Sequence, residues 1–182
     1  TITLTGCTEG TAGLRLTPQT VADAAGNTSP ASNVDSTLVT IDRTAPSFTL
    51  EQASGQADPA RTSPVNFTLS ANEAIDQTSI SASDFTATGG AIGTITCSGS
   101  SCTIPVAPSG QGDVSLAPSG TFSGTDVAGN ASTTASGTDR TVTYDSVAPT
   151  LTLAQAAGQA DPANSGPINF TLSGNETLLA ST

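Results

Sequence analysis

Short runs in which apolar residues alternate with Thr, Ser and other polar residues recur along the chain, separated by clusters of Gly, Pro, Asn and Asp. A period of two places every second side chain on the same face, which is the pattern of a strand buried on one side. In the middle of the chain it predicts seven strands: A over 47–52, B over 65–70, C over 79–86, D over 92–97, E over 102–107, F over 114–125 and G over 133–144. Phe48, Leu50, Phe67, Leu69, Phe85, Ile95, Ile104, Val114, Leu116, Phe122, Val142 and Tyr144 are expected in the core. No helix of ordinary length is expected.

The pattern also repeats at long range. The stretch beginning TAPSFTLEQASGQADPA at Thr44 returns as VAPTLTLAQAAGQADPA at Val147, an offset of 103 residues held without a gap from Pro46/Pro149 to Glu73/Glu176. The same offset relates Asp23-Ala-Ala-Gly-Asn27 to Asp126-Val-Ala-Gly-Asn130 and Asp42 to Asp145. Further upstream the match is expected to slip by three, with Leu14, Leu16 and Pro18 facing Val114, Leu116 and Pro118. One unit is thus about the size of a single seven-stranded sandwich. The expected organisation is the C-terminal part of one repeat over 1–43, a complete repeat over 44–146 and the N-terminal part of a third over 147–182. Each partial repeat lacks strands that would cover its apolar face, so either the parent chain continues on both sides or another copy completes them. The absence of an initiator Met and of a signal peptide also leads us to expect a piece of something larger.

Composition narrows the function. Hydrophobic residues make up 35% of the 182 and aromatics 3%, lean for a helical core but ordinary for a thin β-sandwich. The net charge is −11, with neither His nor Lys present. That removes Ser-His-Asp and Cys-His nucleophiles, His-based zinc sites, Lys Schiff bases and Walker-type phosphate clamps. No enzyme is expected. An anionic surface argues against nucleic acid, and the lack of any apolar run of about 18 residues argues against membrane insertion.

Cys97 and Cys102 bracket Ser-Gly-Ser-Ser between two strand signals, which places them opposite each other at a hairpin mouth. A disulfide is the favoured reading and points to an oxidising compartment. A redox pair fits less well, because the spacing exceeds Cys-x-x-Cys and no base lies nearby; two buried thiols are the remaining alternative. Cys7 has no evident partner.

If successive strands alternate in direction, the B–C and F–G loops return to the pole at which strand A begins. Asp42 in the incoming linker, Asn72 and Glu73 after strand B, and Asp126 with Asn130 in the F–G turn are then expected to converge, and Asp145 and Glu176 recur at the next junction, within reach of Asp58 in the A–B loop. Hard oxygen ligands from separate loops suit Ca²⁺. The plainer reading of Asp126 to Asn130 is a turn closed by Asx hydrogen bonds, with Gly129 at positive φ.

The Asp-x-x-Ala-Pro linkers (Asp42 to Pro46, Asp145 to Pro149), the Asp-x-Ala-Gly-Asn turn and the Gly-Gln-Ala-Asp-Pro loop resemble the tandem bacterial Ig-like domains of large surface adhesins and other secreted repeat proteins. The resemblance implies an all-β fold of Ig-like β-sandwich repeats, an extracellular or cell-surface location and calcium at the domain junctions. It also implies service as a structural segment of a fibre or adhesin stalk, with neighbouring repeats as partners. Two alternatives stay open: a filament subunit joined to further copies of itself by strand complementation, and an adhesive ligand-binding module. The latter would carry aromatics in its loops, whereas Tyr144 and the five Phe fall mainly in strands.

Overall fold

The computed structural model describes residues 1–179 and is almost entirely β. The N-terminal segment holds β1 (Gly10–Ala12), β2 (Arg15–Leu16), β3 (Val34–Asp35) and β4 (Val39–Ile41); β1 pairs only with β4 and β2 only with β3. The middle segment holds β5 (Phe48–Gln52), β6 (Val65–Ala71), β7 (Phe85–Thr88), β8 (Gly90–Ile92), β9 (Thr96–Ser98), β10 (Ser101–Pro108) and β11 (Gly112–Pro118). These are followed by β12 (Gly124–Thr125), β13 (Ala131–Ser132), β14 (Ala135–Ser136) and β15 (Thr141–Tyr144). The C-terminal segment is one hairpin, β16 (Leu151–Gln155) with β17 (Phe170–Gly174).

In the middle segment β12 and β13 pair only with each other, and the remaining strands form two sheets. One runs β14-β5-β6-β10-β8, with β9 also on β10; the other runs β15-β11-β7. Alternation along β6 (Val65, Phe67, Leu69), β10 (Cys102, Ile104, Val106) and β11 (Val114, Leu116) sends one row of side chains from each sheet into a shared core. That core runs from Phe48 to Val142 and draws no buried residue from either flank. Phe122 closes it, edge-on to Phe48 at 5.4 Å between ring centres. Of the expected core residues, Ile95 and Tyr144 are only partly buried, while Ala60, Val65, Ile75, Ile80, Cys102 and Val106 join it.

The structure breaks four of the seven expected strands, each for a local reason. The first half of strand C is replaced by 3-10 turns over Gln77–Ser79 and Ala82–Asp84. Here the Asp76 carboxylate accepts the Thr78 N–H at 2.9 Å and Asp84 accepts the Ser81 N–H at 2.7 Å, bonds that hold the backbone out of extension. Strand D is interrupted over 93–95, where Gly93 donates to the Pro105 carbonyl. Strand F stops at Pro118, and the Ser119 N–H turns to the Asp84 carbonyl. Strand G divides between the sheets: β14 lies parallel on β5, β15 antiparallel on β11. Gly137, at φ +131°, makes that crossing where a Cβ would run into the Leu50 carbonyl. No helix among the described residues is longer than three residues, and none is long and apolar enough to cross a membrane.

The repeat is visible in three dimensions. In β5–β6, Leu50 faces Leu69 and Gln52 faces Phe67; in β16–β17, Leu153 faces Leu172 and Gln155 faces Phe170. The loops match as well: the Gln56 carboxamide oxygen accepts the Asn66 N–H at 2.9 Å, as Gln159 does from Asn169. At the other end, Gly10 faces Ile41 as Gly112 faces Tyr144, which puts Ala12 in the place of Val114 and Leu14 in that of Leu116. The upstream slip is therefore one residue, not three. The stretch between Leu16 and Asp23, Thr-Pro-Gln-Thr-Val-Ala, matches its counterpart too little to place the slip from sequence.

Candidate functional site

Four of the expected junction residues are brought together at one pole of the middle sandwich. The turn from Asp126 to Asn130 is closed by the Asp126 carboxylate, whose Oδ1 accepts the N–H groups of Ala128 (2.8 Å) and Asn130 (2.9 Å). Its Oδ2 accepts from Asn130 Nδ2 at 2.8 Å, and Gly129 supplies φ +93°. The Asx turn expected as the plainer reading is thus present. A bridge between Ile75 and Asp126 holds the loop after β6 against this turn. The linker is tied on by Asn130, which donates from Nδ2 to the Asp42 carbonyl at 3.1 Å.

Asp42, Glu73 and Asp126 each offer a carboxylate oxygen, and the three oxygens lie within 4.8 Å of one another. The Glu73 carboxyl is shifted upward. Burial first, then the charges of Asp42 and Asp126, a hydrogen bond with Asp42, and the charge of Glu9 push its carboxyl above the ordinary carboxylate range. Asp126 goes the other way: burial, the largest single influence, opposes its charge, but the bonds from Asn130, Ala128 and Gly129 together outweigh it and hold the carboxyl low. The cluster can relieve its repulsion by keeping a proton on Glu73 or by accepting a hard cation, and three carboxylates from separate loops are a donor set that fits one. Asn130 contributes as the tie between turn and linker.

Glu9 is the junction residue that sequence reasoning missed. Its Oε2 accepts the Arg43 N–H at 2.9 Å, as the Gln111 side chain accepts the Ser146 N–H at 2.9 Å one repeat later. The one-residue slip would have revealed it. Asp145 and Glu176, expected to repeat the site, form no such three-acid group among the described residues. Asp145 instead caps its own linker by accepting the Val147 N–H. The counterpart of Asp126 would lie 103 residues further on, beyond residue 182.

Two other features stand apart from the acids. Cys97 and Cys102 face each other across β9–β10 and are joined by a disulfide, Cα to Cα 4.0 Å, while Cys7 is free and half-buried. The two-residue turn between these strands places Gly99 at φ +59°, as a type II′ hairpin requires of its first central residue. The second feature is exposure: Leu153, Phe170 and Leu172 are 69%, 64% and 56% exposed, whereas their counterparts Leu50, Phe67 and Leu69 are fully buried.

No protein-family model, curated protein or solved structure matches this chain.

Proposed function

We propose that this chain is a stretch of an extracellular bacterial surface fibre or adhesin stalk, made of tandem Ig-like domains and acting mechanically rather than catalytically. The observation that carries this reading is the recurrence of the β5–β6 hairpin as β16–β17, in the same register and with the same loop bonds, 103 residues along the chain. Serial units with separate cores and short linkers are what a spacer needs. The strand order supports the Ig-like assignment: naming the strands A to G, β5-β6-β10-β8 reads A-B-E-D and β15-β11-β7 reads G-F-C, the constant-domain arrangement. The Cys97–Cys102 disulfide favours an oxidising, extracellular setting. The chain can be stretched between its ends in a single-molecule instrument. The reading expects one dominant unfolding event lengthening the chain by about 30 nm, the contour of residues 44–146 less the folded span and the loop closed by the Cys97–Cys102 disulfide. A gradual extension without a discrete event would count against a load-bearing unit.

A second reading is favoured by the carboxylate cluster: Ca²⁺ held by Asp42, Glu73 and Asp126 would stiffen the joint between linker and sandwich. In that case Ca²⁺ raises the melting temperature of the wild type over an EDTA control and leaves Glu73→Gln unmoved. An equal response of both proteins, or none, removes the reading.

A further inference from the structure

We propose that residues 48–60 and 135–145 form a mechanical clamp, a parallel lacing of hydrogen bonds that takes the tension passing through the middle unit and loads its rungs together. The inference rests on the stalk reading and deepens it by naming the part that bears the load.

Tension enters the middle unit through the linker before β5 and leaves through the linker after β15. The start of one segment and the end of the other are therefore pulled apart. What that does depends on how the two segments lie. They run parallel: Ala135 and Ser136 of β14 pair with Phe48 and Thr49 of β5, and at the far end Tyr144 bridges Ala60 in the same sense. Parallel segments pulled from opposite ends slide past each other along their length, so every cross-bond is strained at once. Pulled from the same end, they would open one bond at a time. Forced unfolding is governed by the rate of crossing the unfolding barrier, and bonds that must break together raise that barrier.

The lacing continues where the ladder stops. The Ser136 hydroxyl donates to the Phe48 carbonyl at 3.1 Å. Residues 137–140 belong to no strand, yet the Glu51 carboxylate accepts the N–H groups of Thr138 (3.0 Å) and Asp139 (2.6 Å). The Asp139 carbonyl in turn accepts the Gln52 N–H at 2.6 Å. Near the exit the Asp58 carboxylate accepts the Thr143 N–H at 3.0 Å. Ala60 completes the series, donating to the Thr143 carbonyl and accepting the Asp145 N–H, both at 2.8 Å. Glu51 thus supplies a rung at the crossing by Gly137, where the outgoing segment passes from one sheet to the other and backbone pairing is interrupted.

Single-molecule pulling in two directions tests the clamp. Tension between the chain ends loads the lacing in shear. In a chain carrying Cys7→Ser, Ser47→Cys and Thr134→Cys, handles on the two new cysteines load it instead from the end at which β5 and β14 both begin. The middle unit should unfold at a clearly higher force in the first direction. Glu51→Ala should lower the end-to-end force without changing the lengthening per event, and Glu51→Gln, which keeps one acceptor oxygen, should fall between it and the wild type. Asp76→Ala also removes a carboxylate that accepts two hydrogen bonds, but from a turn outside the lacing, and should leave the end-to-end force at the wild-type value. Equal forces in the two directions, or a Glu51→Ala force no lower than that of Asp76→Ala, overturns the clamp; the discrete event itself would still stand, and the stalk reading with it. Loss of any discrete event between the chain ends strikes the stalk reading instead, and the clamp falls with it.

Discussion

At the scale of single residues, the junction is governed by two carboxylates pulled in opposite directions. Glu73 has a raised pKa in the fold, so its contribution to stability is fully present below its unfolded pKa and is lost as pH rises through the folded value. Asp126 has a lowered one, so its contribution is present above the unfolded pKa and is lost as pH falls through the folded value. In metal-free buffer, Glu73→Gln should therefore melt higher than wild type at neutral pH, the advantage shrinking as the buffer is acidified toward pH 4. Asp126→Ala should melt several degrees lower at neutral pH, because the N–H groups of Ala128 and Asn130 lose their acceptor. The meeting of Asp42, Glu73, Asp126 and Asn130 was legible from strand alternation alone, since alternation decides which loops share a pole. Glu9 was not, because its position depends on the length of a stretch, residues 17–22, that matches its counterpart too little to align.

Among the elements, legibility followed length. Strands B and E are long, alternate cleanly and lie at the centre of their sheet, and the structure extends them by only one or two residues as β6 and β10. Strands C, D, F and G are shorter than the alternation predicts wherever a hydrogen bond outside the ladder or a glycine redirects the chain: Asp76 and Asp84 bend C, the Ser119 N–H turns F aside to the Asp84 carbonyl, and Gly137 moves G from one sheet to the other. The two copies of the A–B hairpin offer a useful comparison, since the register matches, the sequences are similar and the burial differs. Phe67→Ala should cost about 3–5 kcal/mol in chemical denaturation of the middle unit. Phe170→Ala, at the equivalent but exposed position, should leave that transition unchanged. Reducing the Cys97–Cys102 bridge should lower stability by about 2 kcal/mol, the value for so short a loop, and should loosen β9 rather than the core.

For the whole molecule, the repeat in the sequence told more than any motif. An offset of 103 residues leads us to expect one full unit and two partial ones, and the buried cluster runs from Phe48 to Val142. What the sequence could not show is how the strands of that unit divide between sheets, because this depends on crossings such as the one at Gly137. The central claim is that a single cooperative core occupies residues 44–146 while both flanks lack cover. Hydrogen exchange of the chain, resolved by residue, tests this most directly. Slowly exchanging amides should fall only between β5 and β15 and share one opening free energy, with β1–β4 and β16–β17 exchanging far faster. Protection of the flanks equal to that of β6 and β10, or rapid exchange within those two strands, would contradict it.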